Sequence, residues 1–274
     1  MTDARPIGLF DSGVGGLTVL DAVARRLPGE NLLYLGDTAR LPYGTKSPET
    51  VRRYARRAVE LLLERGIKAL VVACNTASAL ALDLIEEISP VPVVGVVAPG
   101  ASAAVAAARR LEAAGVPRAP IAVLATEATV ASDAYGRAVR ALDPGREVLH
   151  TACPLFVPLA EEGWTENEVA RAAADRYLAP VRASGVHVVV LGCTHYPLLK
   201  GTIAAALLPE TALVDSAESA ARALEAVLPA AARRGGGSAG ETHVLVTDAS
   251  ERLARIAGRF LGREAARLEL VDLP

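Results

Sequence analysis

The sequence predicts an α/β protein of two similar α/β domains, each on a mostly parallel sheet, with its active site in the interdomain cleft. Three observations point there. Short β-rich runs alternate with helical stretches along the chain, the pattern of parallel strands joined by crossover helices. A length of 274 residues is long for one core and comfortable for two. The two halves also echo each other. Ala69-Leu-Val-Val-Ala-Cys74-Asn75-Thr76 reads as a buried strand ending in a cysteine and two polar residues, and Val188-Val-Val-Leu-Gly-Cys193-Thr194-His195 is the same object further on. Ile7-Gly-Leu-Phe-Asp11-Ser12 has its counterpart in Ile121-Ala-Val-Leu-Ala-Thr126 at a similar separation.

Strands are expected at 7–10, 32–35, 69–73, 93–97, 121–125, 148–151, 186–191, 212–214 and 243–247. A helix is expected from Pro48 to Arg65: Ser47 can cap it, Pro48 suits its first turn and Gly66 can close it. Val51, Tyr54, Ala55, Ala58, Leu61 and Leu62 fall on one face, and Arg52, Arg53, Arg56 and Arg57 read as a solvated face. Val96-Val97-Ala98-Pro99-Gly100 reads as a crossover between domains, and the stretch from Arg233 to Gly240, with Gly235, Gly236 and Gly237, as a flexible surface loop.

Composition removes several function classes. Only 4% of the chain is aromatic, so the core must be built from Ala, Val and Leu. The net charge of -2 has no basic excess for nucleic acid. The Ala-rich stretch from Ala101 to Ala114 is interrupted by Arg109, Arg110 and Glu112, so no membrane span is expected, and the polar start carries no signal core. Cys74, Cys153 and Cys193 are odd in number and far apart, which fits free thiols in a reducing cytoplasm.

The chemistry is expected at strand ends, where ligands bind in such sheets. A cysteine after an apolar run is ordinarily a small buried hydrophobe. Asn75, Thr76 and Ser78 argue otherwise for Cys74, and Thr194 and His195 argue so more strongly for Cys193, because polar groups there must be solvated or hold a ligand. A matched pair of thiols suits inversion of a hydrogen-bearing stereocentre, with a base on one face and an acid on the other. A free thiol titrates near pH ~8.5, close enough to neutrality for modest local help to make it useful. His195 can act as proton partner to Cys193. Cys153, without polar neighbours, reads as packing, and His150, His187 and His243 as structural. Cys193-Thr194-His195 lacks the spacing of a metal site.

Asp11-Ser12-Gly13-Val14-Gly15-Gly16 follows the first strand. Its glycines let backbone N–H groups approach an anion, and Asp11 can relay a proton to a cysteine or orient an ammonium group, unless it or Ser12 merely caps a helix. Gly13-x-Gly15 followed by Asp37 also touches the dinucleotide pattern, but Thr18 stands where its third small residue belongs, which argues against a nicotinamide. In the loop Gly36-Asp37-Thr38-Ala39-Arg40-Leu41-Pro42-Tyr43-Gly44, Tyr43 can hydrogen-bond a substrate and the Gly44 N–H can hold a carboxylate; an ordinary turn fits the spacing equally well. Glu161 or Glu162 can orient His195.

Taken together, Phe10-Asp11-Ser12-Gly13-Val14-Gly15-Gly16, Gly36-Asp37-Thr38-Ala39-Arg40, Pro42-Tyr43-Gly44, Ala73-Cys74-Asn75-Thr76-Ala77-Ser78 and Gly192-Cys193-Thr194-His195-Tyr196-Pro197 resemble the glutamate racemases of the aspartate/glutamate racemase superfamily. The motifs recur in order from residue 7 to about residue 220, and the remainder matches loosely. The resemblance implies a first domain of 1–98 plus 211–274 and a second of 99–210. It implies catalysis without pyridoxal phosphate or metal, with Cys74 and Cys193 as the proton-transferring pair and Asp11, His195 and Glu161 assisting. Asp11, Ser12, Tyr43, Gly44, Asn75, Thr76, Thr126, Thr194 and His195 would line the substrate site, Thr126 and Thr129 matching the family's threonine-bearing loop less closely. Glutamate would be the substrate and D-glutamate for peptidoglycan, and so cell shape, the output, in the cytoplasm and as a homodimer. The long N-terminal extension of some regulated members has no counterpart here, so activation by a cell-wall precursor is not expected. Aspartate racemization is the alternative within this chemistry. A cysteine hydrolase using Cys193 and His195, or a non-catalytic amino-acid clamp, are the alternatives outside it.

Overall fold

A computed structural model describes residues 3–234, 239–261 and 268–273; the expected glycine loop at Gly235, Gly236 and Gly237 lies outside them. In chain order the strands are β1 (Ile7–Asp11), β2 (Leu32–Gly36), β3 (Ala69–Val72), β4 (Val93–Gly95), β5 (Ile121–Ala125), β6 (Val148–Ala152), β7 (Val188–Gly192), β8 (Ala212–Asp215), β9 (Thr242–Val246) and β10 (Leu268–Leu270). The helices are α1 (Leu17–Arg26), α2 (Pro48–Glu64), α3 (Asn75–Leu80), α4 (Leu82–Ile88), α5 (Val97–Ala113), α6 (Glu127–Ala131), α7 (Ala134–Leu142), α8 (Phe156–Glu162), α9 (Glu168–Ala183), α10 (Lys200–Ala205), α11 (Ser216–Val227) and α12 (Glu251–Leu261). The chain divides into two compact units, Met1–Val96 with Ala217–Pro274, and Val97–Ser216.

The first unit holds a parallel six-stranded sheet in the order β10-β9-β2-β1-β3-β4. β1, β2 and β3 are buried along their whole length, as continuous Leu/Val/Ile runs require of central parallel strands. α2 covers this sheet as its sequence predicts. Ser47 Oγ accepts the Thr50 N–H (3.3 Å), Pro48 occupies the first turn, and Gly66 follows at φ 73°. Val51, Ala55, Ala58 and Leu62 are fully buried, while Arg52 turns outward to Asp83.

The second unit holds a parallel four-stranded sheet, β6-β5-β7-β8. Its order repeats that of β2-β1-β3-β4, so the echo heard in the sequence is a repeat of topology. Its core gathers Leu124, Leu191, Phe156, Leu159, Tyr196 and Leu199. Phe156 and Tyr196 meet edge to face at 5.3 Å, a favoured aromatic geometry. Cys153 lies fully buried in this core.

Two local expectations fail. The strand expected over 93–97 stops at Gly95, because Val97 opens α5; Pro99 sits in that helix's first turn, where its missing N–H costs nothing. β10 went unread because three residues, one of them Glu269, are too short for an alternation to register. Among the described residues no helix is long and apolar enough to cross a membrane.

At the amino ends of the first sheet, Lys68 and Glu30 form a buried ion pair at 2.5 Å. Lys68 Nζ also donates to the carbonyls of Asp3 (2.7 Å) and Ala232 (3.0 Å), so the pair ties both flanks of this unit together. Breaking one partner leaves an uncompensated buried charge. Glu30→Gln is expected to destabilise the fold by about 3 kcal/mol in urea titration. The double replacement Glu30→Leu/Lys68→Met is expected to cost less than the single one.

Candidate active site

In a parallel sheet whose order turns at a central strand, ligands bind beyond the carboxyl ends at the turning point. In the first unit that point lies between β1 and β3, whose ends deliver Asp11 and Cys74. In the second it lies between β5 and β7, whose ends deliver Thr126 and Cys193. Each cysteine is thus placed by the same structural rule.

Cys74 is buried and occupies the N-cap position of α3. Its Sγ accepts the Ala77 N–H (3.4 Å) and lies 3.5 Å from Ser12 Oγ. Burial, reinforced by the negative charge of Asp11, pushes its thiol up to about 12, against the hydrogen bonds from Ser12 and Ala77. Asn75 and Thr76 are buried in the first turn of α3, beside that sulfur.

The turn after β1 is built on close approach. Asp11 is fully buried, and its Oδ2 accepts the Gly13 N–H (3.0 Å). Tyr34 donates its hydroxyl to the Gly13 carbonyl (2.8 Å). A Cβ at Gly16 would lie 2.5 Å from Asp11 Cβ, and one at Gly36 would overlap the Gly13 carbonyl. Both glycines are therefore demanded by space.

Tyr43 and Gly44 are buried in a 3₁₀ turn, Tyr43–Thr45. The Tyr43 hydroxyl donates to Asp37 Oδ2 at 2.6 Å, and Asp37 Oδ1 accepts from Thr247 Oγ1 at 3.0 Å. Arg40 pairs with the same carboxylate at 3.5 Å and stacks over Tyr54. Asp37 is fully buried and engaged here, which removes it as the ribose-binding acid of a dinucleotide site. The sequence reading missed this role for Asp37. Its partner Thr247 is remote in sequence, and only the pairing of β9 with β2 brings them together.

In the second unit His195 stands between two partners. Its Nδ1 is 3.8 Å from Cys193 Sγ and 3.5 Å from Thr194 Oγ1, and its Nε2 is 3.2 Å from Glu161 Oε1. Glu162, the other acid considered, is exposed. Burial opposes charging of the ring, but the bonds to Cys193 and Glu161 outweigh it and raise His195 from 6.5 to about 10. Thr126 caps α6 by accepting the Thr129 N–H (3.3 Å), and the two hydroxyls meet at 2.9 Å. Cys153 faces apolar packing, with its thiol pushed up by burial. Among the described residues no group of three His, Cys, Asp or Glu is arranged to hold a metal ion.

Comparison with known proteins fits this arrangement. Residues 10–224 match the family model of Asp/Glu/Hydantoin racemase. The chain belongs to that family. It is 48% identical over 98% of its length to a glutamate racemase of Geobacter metallireducens, 97% of which is covered. Among solved structures, it resembles glutamate racemase from Francisella tularensis in complex with D-glutamate, at a TM-score of 0.90 and 35% identity over 99% of this chain and 98% of that one. It also resembles the Thermus thermophilus enzyme in complex with Beta-chloro-D-alanine, at 0.85 and 46% over 98% of both. The α/β architecture and the class of enzyme expected from the motifs, an amino-acid racemase, are thereby borne out.

The charge on His195 is testable by itself. Its raised affinity for a proton means that its contacts contribute full stability below pH 6.5 and lose it as pH rises through about 10. Nitrogen-15 NMR of the ring should show an imidazolium persisting well past neutrality. In Glu161→Gln the midpoint should move down, and the stability difference from the parent should shrink between pH 6 and about 10.

Proposed function

We propose that this protein interconverts L- and D-glutamate by direct proton transfer at Cα, with Cys74 and Cys193 serving opposite faces of the same carbon and no pyridoxal phosphate or metal. The observation that carries the reading is the pair of cysteines at equivalent strand ends, each with its own charged companion: Asp11 beside Cys74 and the His195–Glu161 pair beside Cys193. The glutamate racemases named among its relatives support glutamate over aspartate as substrate.

The opposite companions suggest how one cycle begins. An imidazolium beside Cys193 is the charge that a thiolate there requires. Cys74, beside an anion and away from water, rests as the protonated thiol. By family resemblance Cys193 serves the L-isomer: its thiolate takes the Cα proton of L-glutamate and becomes a thiol. The electron pair left at Cα then takes the Cys74 proton on the other face, giving D-glutamate and a Cys74 thiolate. That second form of the enzyme is the one competent for D-glutamate, so the two thiols exchange roles with direction. The substrate ammonium group offsets the negative charge of Asp11 and so eases ionisation of Cys74 in the complex. By the same resemblance Ser12, Tyr43, Gly44, Asn75, Thr76, Thr126 and Thr194 bind the substrate, and their hydroxyls and backbone N–H groups suit its carboxylates. By family resemblance the product serves peptidoglycan synthesis, and the enzyme works in the cytoplasm as a homodimer.

Incubation in deuterated water tests this. Both glutamate isomers should lose the Cα proton signal and aspartate should not; exchange with aspartate alone would overturn the substrate. Cys74→Ser and Cys193→Ser should each lower racemization in both directions by about a hundredfold or more, the scale of one acid–base group. A hydrolase centred on Cys193 and His195 would leave Cys74→Ser nearly unaffected.

A further inference from the structure

We infer that Tyr34 is a positioning residue for the racemization, holding Asp11 against Cys74 through the two peptide groups of Gly13. The inference rests on the function proposed above. Tyr34 lies on β2, fully buried, and has no place among the residues expected to touch substrate. Its hydroxyl nevertheless reaches into the turn that follows β1. It donates to the Gly13 carbonyl at 2.8 Å. Gly13 in turn gives its own N–H to Asp11 Oδ2 at 3.0 Å.

Glycine leaves the peptide planes on either side of its Cα free to rotate. One plane at Gly13 carries the N–H that holds Asp11, and the other carries the carbonyl that Tyr34 holds. Anchoring the second plane removes one of the two rotations by which the first could swing away from the Asp11 carboxylate. Space supports the same reading. A Cβ at Gly16 would meet both Asp11 and the Tyr34 oxygen (3.0 Å), so the turn closes on the phenol with no room to spare. Tyr34 is also close enough to feel the charges of Asp11 and Cys74. A ring placed only to fill the core would be served equally well by phenylalanine.

The test is a double-mutant cycle of Tyr34→Phe and Asp11→Asn, read in two ways. For glutamate racemization, Tyr34→Phe should lower kcat about five- to tenfold, the scale of one buried hydrogen bond, with KM within about twofold. In the Asp11→Asn background the same change should alter kcat by less than about twofold. For alkylation of Cys74 by iodoacetamide, located by mass spectrometry, Tyr34→Phe should raise the rate at fixed pH, because a released Asp11 no longer opposes the thiolate. That increase should vanish in Asp11→Asn. A kcat within twofold of the parent, an equal loss in both backgrounds, or an unchanged alkylation rate overturns the proposal. If the parent enzyme does not racemize glutamate, the proposed function falls, and the alkylation cycle still decides whether Tyr34 acts through Asp11. Should Tyr34→Phe fail to fold, 3-fluorotyrosine at position 34, near-isosteric and a stronger donor, takes its place; alkylation at the parent rate then overturns the proposal.

Discussion

Removing a thiol from water makes its ionisation costly, and the charge beside it decides what it can do. Everything chemically interesting in this protein follows from that constraint. Cys74 and Cys193 are equally buried, so solvent exposure does not distinguish them. Their companions do. Asp11 presses Cys74 toward the thiol, while at His195 burial is outweighed by the bonds to Cys193 and Glu161, which raise its affinity for a proton beside the Cys193 sulfur. In the reaction proposed above, the substrate's own ammonium and carboxylate groups are the charges available to alter this difference.

The fold supplies these positions by doubling one device. In both sheets a central strand ends in a polar residue, and the next strand but one ends in a cysteine followed by a helical turn. Parallel strands oblige every carboxyl end to point the same way, so the residues after β1 and β3, and after β5 and β7, are neighbours by topology. The elaborations differ. After β3 the cysteine caps a helix and takes a backbone N–H; after β7 it is followed by a histidine that reaches an acid on α8. The electrostatic difference between the two thiols is thus built from local sequence on a shared scaffold.

What could be read from the sequence follows from this. β5 is bounded in the fold as expected, and β1, β2 and β6 differ only by one residue at the end, because continuous apolar runs between turn residues have one physical reading. Cys74 and Cys193 were legible because polar residues directly after a buried strand demand an explanation. Contacts between distant segments were not legible. In the sequence Asp37 is only part of a dinucleotide pattern that Thr18 argues against, and nothing there shows that its carboxylate is filled by the Tyr43 and Thr247 hydroxyls. Tyr34 looked like any aromatic in a strand, because nothing in Leu32-Leu33-Tyr34-Leu35 reveals which way a phenol will point. In each case the missing information was the register of one strand against another.

The C-terminal segment, which carries the weakest motifs, shows why such contacts matter. β9 lies against β2, and its last residues turn over the loop that carries Tyr43. Thr38 Oγ1 donates to the Asp248 carbonyl (2.8 Å), Thr247 accepts the Ala39 N–H (2.9 Å), and Arg40 reaches the Leu273 carbonyl (2.5 Å). These bonds anchor residues 37–40 on both sides, and Asp37 passes the constraint to the Tyr43 ring. A loop anchored in this way keeps its shape without help from a ligand. Thr247 contributes its side chain to this anchoring, while Asp248 and Leu273 contribute main-chain carbonyls. A main-chain acceptor leaves no mark in a sequence motif, so the structural role of this segment is visible only in the fold.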